Sequence, residues 1–240
     1  ILDLVTYDLA VSATLQISSG GRLRLQDSVG QTVTTGTTDF TSAVSTVEYY
    51  NAVTSTGLEA GSSYHNLEIT GGTRTLSANL TVNNNWSVSA GATLDLVTYD
   101  VGGTAPNLTV NAGALARLHG GQTVGGTKTV SGNAEYYGTS DYSGLGLVLG
   151  YSYQNLSFTA TGTWDLGSPL AVGNNLALNA AGTLNAAGNS IAVTGNTTSF
   201  GTISLNGGDL STTNLTVSGS LTADPGVPSE TITVSGNLDM

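Results

Sequence analysis

Cysteine is absent from the 240-residue chain, so disulfides, thiolate chemistry and cysteine-based metal sites are all excluded. Positive charge is almost as scarce. Arg22, Arg24, Arg74, Arg117 and Lys128 face 16 acids, for a net charge of −11. A nucleic-acid reader needs a basic footprint to neutralise phosphates, and an anionic membrane surface is recognised the same way; neither partner is expected. No apolar run reaches 18 residues, so no membrane-inserted helix is expected. Charged residues of both signs make up 9% of the chain, against about 25% in an ordinary soluble domain. Their place is taken by 33 Gly and by Thr, Ser and Asn. Such a composition suits disorder, but disordered chains lack the evenly spaced Leu, Val and Ile found here. The chain opens at Ile1 inside a repeat, without initiator Met or signal peptide, and so reads as processed or as a segment of something longer.

Helical periodicity is missing as well. No window carries apolar residues at i, i+3, i+4 and i+7, whereas Leu2-Asp3-Leu4, Leu15-Gln16-Ile17 and Leu23-Arg24-Leu25 alternate apolar and polar, the period of a half-buried strand. Ser18-Ser19-Gly20-Gly21 and Thr34-Thr35-Gly36-Thr37 read as turns. The alternating pieces recur over long distances. Ile1-Leu2-Asp3-Leu4-Val5-Thr6-Tyr7-Asp8 returns 92 residues later as Thr93-Leu94-Asp95-Leu96-Val97-Thr98-Tyr99-Asp100, and in worn form as Thr183-Leu184-Asn185. Glu48-Tyr49-Tyr50 returns as Glu135-Tyr136-Tyr137, and Tyr64-His65-Asn66-Leu67 as Tyr153-Gln154-Asn155-Leu156. The chain is a repeat array, with a first repeat over 1–92, a second over 93–182 and a partial, degenerate third over 183–240.

Within each repeat one motif dominates, Asn-Leu-x-apolar, at Asn66, Asn79, Asn107, Asn155 and Asn214. Strands this short cannot stand alone. Stacked coil upon coil they satisfy their backbone groups and share one core, which predicts an all-β fold with parallel, in-register strands. Leu80, Val82, Trp86, Val88, Leu94, Leu96, Leu176 and Leu178 are expected inside, and the strand-edge asparagines are suited to amide ladders. Valine landmarks at 82, 110, 130, 172, 193, 217 and 234 imply a coil of about twenty residues, hence a single continuous solenoid of about 11–12 coils over 1–240.

The run Tyr64 to Ile69, then Thr73 to Leu76, Asn79 to Val82 and Gly91 to Leu96, with its second copy over Tyr153 to Leu184, resembles the repeat of bacterial filamentous-haemagglutinin-like, adhesin-type β-strand-repeat surface proteins. The resemblance implies a right-handed parallel β-helix, an extracellular location at the cell surface, and a role as stalk, fibre or adhesin.

Candidates for chemistry are few. Asp95 lies between Leu94 and Leu96, so alternation turns it outward; Asn185 in the third copy abolishes acid–base capacity, and the acids read as a solubilising face. His65 and His119 are the only imidazoles; Gln154 replaces the first in the second copy, and the second aligns with Gln26. No catalytic, cofactor-binding or metal residue is assigned, and no cofactor is expected. The calcium-binding Gly-Gly-x-Gly-x-Asp repeat does not occur, and Asp224 and Glu230 in a Pro-containing turn are a weak metal candidate at best. Tyr49, Tyr50, Tyr136 and Tyr137 are the candidates for stacking on glycans, against a bland alternative in which tyrosines stack between coils. Asn79, Asn85, Asn107, Asn155, Asn196 and Asn214 open glycosylation sequons.

These features point to a non-enzymatic structural or adhesive surface protein, a rod or filament segment that meets copies of itself head to tail and possible surface glycans. The alternative is a carbohydrate-binding or carbohydrate-active β-helix of the phage-tailspike or polysaccharide-lyase type. Ice binding by Thr-x-Thr rows is disfavoured, because Thr73-Arg74-Thr75, Thr127-Lys128-Thr129 and Thr231-Ile232-Thr233 look isolated along the chain. The head-to-tail expectation rests on the absence of a capping helix, proline plug or charged run at either end.

Overall fold

The computed structural model describes residues 1–26, 31–42, 44–58, 61–104, 106–224 and 230–240. Alternation sets the local structure. In strand Asn66–Ile69 the side chains of Leu67 and Ile69 are buried while those of Asn66 and Glu68 point out, and the same pattern recurs in Asn107–Val110, Asn155–Phe158 and Asn214–Val217. Each strand pairs with its equivalent one coil away, and the ladders are parallel: Leu67 with Trp86, Trp86 with Leu108, Leu156 with Leu176, Leu170 with Ile191. The chain is an all-β parallel solenoid of about 11 turns, without a helix among the described residues.

Two compact units make it up: Ile1–Ala116 with Gln122–Thr129, and Arg117–Gly121 with Val130–Met240. In the first, strands Leu2–Asp3, Arg22–Leu25, Thr46–Tyr49, Asn66–Ile69, Asn85–Val88 and Asn107–Val110 follow one another in one sheet. Thr54–Thr56, Thr73–Thr75 and Thr93–Asp95 form a second wall, and Ser63–Tyr64, Leu80–Val82 and Val101–Gly102 a third. In the second unit the three walls run Asn133–Tyr136 to Leu238–Asp239, Asp141–Tyr142 to Ser220–Thr222, and Ser152–Tyr153 to Ile232–Val234. All eight side chains expected inside are buried, none more than 2% exposed. Fully burying a Leu or Val contributes about 1.5–3 kcal/mol, so the stacked apolar columns outweigh the weak propensity of three-residue strands.

Two expectations need correction. Thr34 to Thr37 do not form a turn: they lie in strand Val33–Asp39, which pairs with Leu9–Gln16 as a mostly exposed two-stranded sheet. Its backbone is satisfied by the partner strand, which needs no apolar side chains. The valine landmarks mix walls. Val82 pairs with Tyr64, while Val110 pairs with Val88 in another sheet; Val172 and Val193 are true register partners. Asn196–Ser199, polar throughout, is a strand whose Thr197 and Ser199 point inward, in register with Leu176 and Leu178. Their hydroxyls are satisfied internally: Thr197 Oγ1 reaches Thr212 Oγ1 at 3.0 Å and Ser199 Oγ donates to the Gly201 carbonyl at 3.1 Å.

Candidate functional site

The densest polar arrangement lies on outward-facing strand positions, once in each unit. In the first unit Arg24 and Glu48 are cross-strand partners. Arg24 Nε donates to Glu48 Oε2 at 2.9 Å and its Nη1 to Asp3 Oδ2 at 2.7 Å, while its guanidinium sits 4.3 Å above the Tyr50 ring. Tyr50 donates its hydroxyl to Asp3 Oδ1 at 2.9 Å. Arg22 bridges Glu48 and Glu68, and Thr70 donates to Glu48 Oε1 at 3.0 Å. The second unit repeats the plan. Arg117 Nε donates to Glu135 Oε2 at 2.8 Å, Thr159 Oγ1 to Glu135 Oε1 at 2.7 Å, and the Arg117 guanidinium lies 4.8 Å from the Tyr137 ring centre. Leu115 stands where Arg22 does and Ser157 where Glu68 does, so the second bridge is missing there. His119 meets the Tyr137 ring edge-on at 4.5 Å.

The charges are mutually supporting. Burial raises the Glu48 carboxyl, but hydrogen bonds from Arg24, Arg22 and Thr70 more than reverse this and hold it below the ordinary carboxylate range. Burial likewise raises Glu135, and Arg117 with Thr159 brings it below. Each carboxylate is thus kept ionised as an acceptor for neighbouring coils. A general acid needs the opposite shift.

The four candidate tyrosines separate cleanly. Tyr49 and Tyr136 point into the solenoid and are fully buried. Each meets a second buried tyrosine hydroxyl, Tyr64 at 3.3 Å and Tyr153 at 3.1 Å. Tyr64 and Tyr153 in turn donate to the Gly61 and Gly150 carbonyls, and burial raises both Tyr136 and Tyr153, keeping them protonated. Tyr50 and Tyr137 are the half-exposed pair, each with an arginine over the ring. His65 and His119 are each half-buried, and no group of three or more His, Asp or Glu able to hold a metal occurs among the described residues. Residues 225–229 of the Asp224–Glu230 turn lie outside the described residues.

The motif that anchors the repeat is a corner. Asp3 Oδ1 accepts the Val5 N–H at 3.2 Å, Asp95 Oδ1 that of Val97 at 3.0 Å, and Asn185 Oδ1 that of Ala187 at 3.0 Å. Val5, Val97 and Ala187 all have left-handed backbone, with φ of 46°, 52° and 52°. What the corner requires is an acceptor oxygen two residues before the left-handed position, which Asp and Asn supply equally. Alternation does turn Asp95 away from the core, but the residue is only 6% exposed and is no solubilising face. Buried Gln31 and Gln122 close the same corners from the next coil, donating to the Val5 and Tyr7 carbonyls and to the Val97 carbonyl.

Asparagines form ladders along the strand edges. In the second unit Asn155 donates to Asn133 at 2.7 Å, Asn175 to Asn155 at 3.3 Å and Asn214 to Asn196 at 2.7 Å. In the first, Asn107 donates to Asn85 at 3.3 Å, and Asn79 accepts the Asp100 N–H at 3.0 Å. The sequon residues are therefore the rungs themselves. In Asn107, Asn155 and Asn214 the amide nitrogen that a glycan would take is already a donor.

Sequence reasoning missed two features. Arg74, read as the middle of an isolated Thr-x-Thr, points inward with no exposed surface; it donates to the Val53 carbonyl at 2.7 Å and lies 5.7 Å from the Tyr49 ring. Its counterpart in the second copy is the equally buried Trp164. The hydroxyl rows are also not isolated. Thr54, Thr73 and Thr93 are in register in the first unit, and Thr163, Thr183, Thr202 and Ser220 in the second. Most of these strands are not Thr-x-Thr: Thr93–Asp95, Thr163–Asp165, Thr183–Asn185 and Thr202–Ser204 end in Asp, Asn or Ser, which hides the row until the coils are stacked. Comparison with family models, curated proteins and solved structures finds no match to this chain.

Proposed function

We propose that this chain is a structural or adhesive segment of a bacterial cell-surface protein, a length of stacked coils whose role is reach, rigidity and display. The observation that carries the reading is where the polar groups are engaged. The outward arginines, the carboxylates beside them and the asparagine ladders all bond from one coil to the next, so polar chemistry reinforces the stack. Among the described residues, strands Leu2–Asp3 and Leu238–Asp239 each have one neighbour, and open strand edges of this kind accept a further strand. Head-to-tail addition of coils, from a second copy or from further chain, fits those edges.

Electron microscopy of the purified protein, combined with incubation on surface polysaccharides, tests the proposal. Extended particles or filaments with no new reducing ends or unsaturated products are expected. Polysaccharide cleavage would overturn it in favour of a carbohydrate-active β-helix.

A further inference from the structure

One corner of the second unit departs from the others in a way that bears on covalent chemistry. The turn Leu205-Asn206-Gly207-Gly208 closes with the Gly208 N–H donating to the Leu205 carbonyl at 2.9 Å. Asn206 and Gly207 are both left-handed, with φ of 47° and 93°. It is the counterpart of the Val5, Val97 and Ala187 corners, each of which has the same closure: Tyr7 to Leu4, Tyr99 to Leu96, Asn189 to Ala186. Only here is the left-handed residue an asparagine, and only here in the chain is an asparagine followed by glycine.

The other asparagines show why that matters. Most have side chains committed to ladder rungs or turn closures. Among the described residues, Asn174, Asn179, Asn206 and Asn237 make no side-chain hydrogen bond; their successors are Asn175, Ala180, Gly207 and Leu238. Asn206 is exposed. Gly207 has no side chain to hinder its backbone nitrogen from approaching the neighbouring Asn206 Cγ. The Gly207 N–H itself donates to Oε1 of Glu230, which also accepts the Asp224 N–H through Oε2 at 2.8 Å. A carboxylate in hydrogen-bond contact with the proton to be lost is placed as a general base.

We infer that Asn206 is a self-modification site, at which the Gly207 amide cyclises onto the Asn206 side chain with Glu230 as base. The Gly207 nitrogen bonds to Asn206 Cγ while its proton passes to Glu230. The Cγ–Nδ2 bond breaks and the nitrogen leaves as ammonia, taking a proton back. Water then opens the resulting succinimide at either carbonyl, giving aspartate or isoaspartate. No oxidant or cofactor is involved. The product places a new negative charge beside Glu230, and the isoaspartyl form adds a backbone carbon to the corner between strands Thr202–Ser204 and Leu210–Thr212.

The test is peptide mapping by mass spectrometry of the folded full chain after incubation at neutral and mildly alkaline pH. Conversion of amide to acid is expected at Asn206, as paired aspartate and isoaspartate peptides, with the ladder residues Asn155, Asn196 and Asn214 unchanged. Asn206→Gln should abolish the signal. Glu230→Gln should slow it several-fold in a sample whose circular dichroism matches the parent. A urea-unfolded sample supplies the rate of the same Asn-Gly step without Glu230 alongside. Conversion spread evenly over many asparagines, or conversion at Asn206 slower when folded than when unfolded, would overturn the inference. A Glu230→Gln protein reacting as fast as the parent would overturn the role given to the base.

Discussion

At the residue scale, an acceptor oxygen and a tolerated left-handed backbone are what each corner needs. Because the oxygen and not the charge is used, Asp95→Asn should leave stability within about 0.5 kcal/mol, whereas Asp95→Ala, which orphans the Val97 N–H, should cost about 1 kcal/mol or more in urea unfolding. Val97 is a less natural occupant. A β-branched side chain at φ of 52° is strained, and left-handed backbone costs a side-chain-bearing residue roughly 1–2 kcal/mol, with Asn the best tolerated after Gly. Val97→Asn should therefore raise the unfolding midpoint, by roughly 1 kcal/mol of stability less the half-buried methyl contacts that Val97 gives up. A lower midpoint would mean that those contacts outweigh the strain. Asn206 shows the trade from the other side, comfortable in the turn and exposed to cyclisation.

At the element scale, strands of two to four residues survive because most are held on both flanks. The amide ladder supplies one part of that hold and the buried apolar column the other. Asn155 is a rung with two neighbours, donating to Asn133 and accepting from Asn175. Asn155→Ala removes both at once and should cost about 1–2 kcal/mol. Hydrogen exchange should localise the loss to strands Asn133–Tyr136 and Leu176–Leu178; uniform protection across the unit would count against the ladder as a stabilising element. The polar strand Asn196–Ser199 makes the complementary point. Thr197 and Ser199 occupy core positions at no visible cost because their hydroxyls find Thr212 and the Gly201 carbonyl.

At the scale of the whole molecule, the Arg–Glu clusters make stability depend on acid pH. Glu48 and Glu135 are both held below the ordinary carboxylate range despite burial, because arginine and threonine donors favour the charged form. The unfolded chain therefore takes up protons first as pH falls. The stabilisation is complete above an unperturbed Glu pKa of about 4.3 and is lost as pH drops through the lowered native values. Falling pH also relieves the self-repulsion of a chain at −11, so the two effects oppose each other. Comparing Glu135→Gln with the parent isolates the first. The variant should be less stable at neutral pH, and the gap should close below about pH 4. A gap independent of pH would assign Glu135 a packing role only.

The sequence by itself determined the repeat, the strand class, the inward columns and the ladder asparagines, because each follows from period-two alternation and from spacings read along one strand. Only the tertiary structure decided which coil positions face each other. Loop lengths differ from coil to coil, so register cannot be counted along the chain. This is why Val82 and Val110 looked equivalent, why the threonine rows looked broken, and why nothing along the chain marked Arg74 as buried. Exposure was likewise settled only by stacking. Asp95 points away from the core, as alternation requires, yet neighbouring coils bury it, and Tyr49 and Tyr50 part ways by one residue because adjacent side chains take opposite faces of the wall.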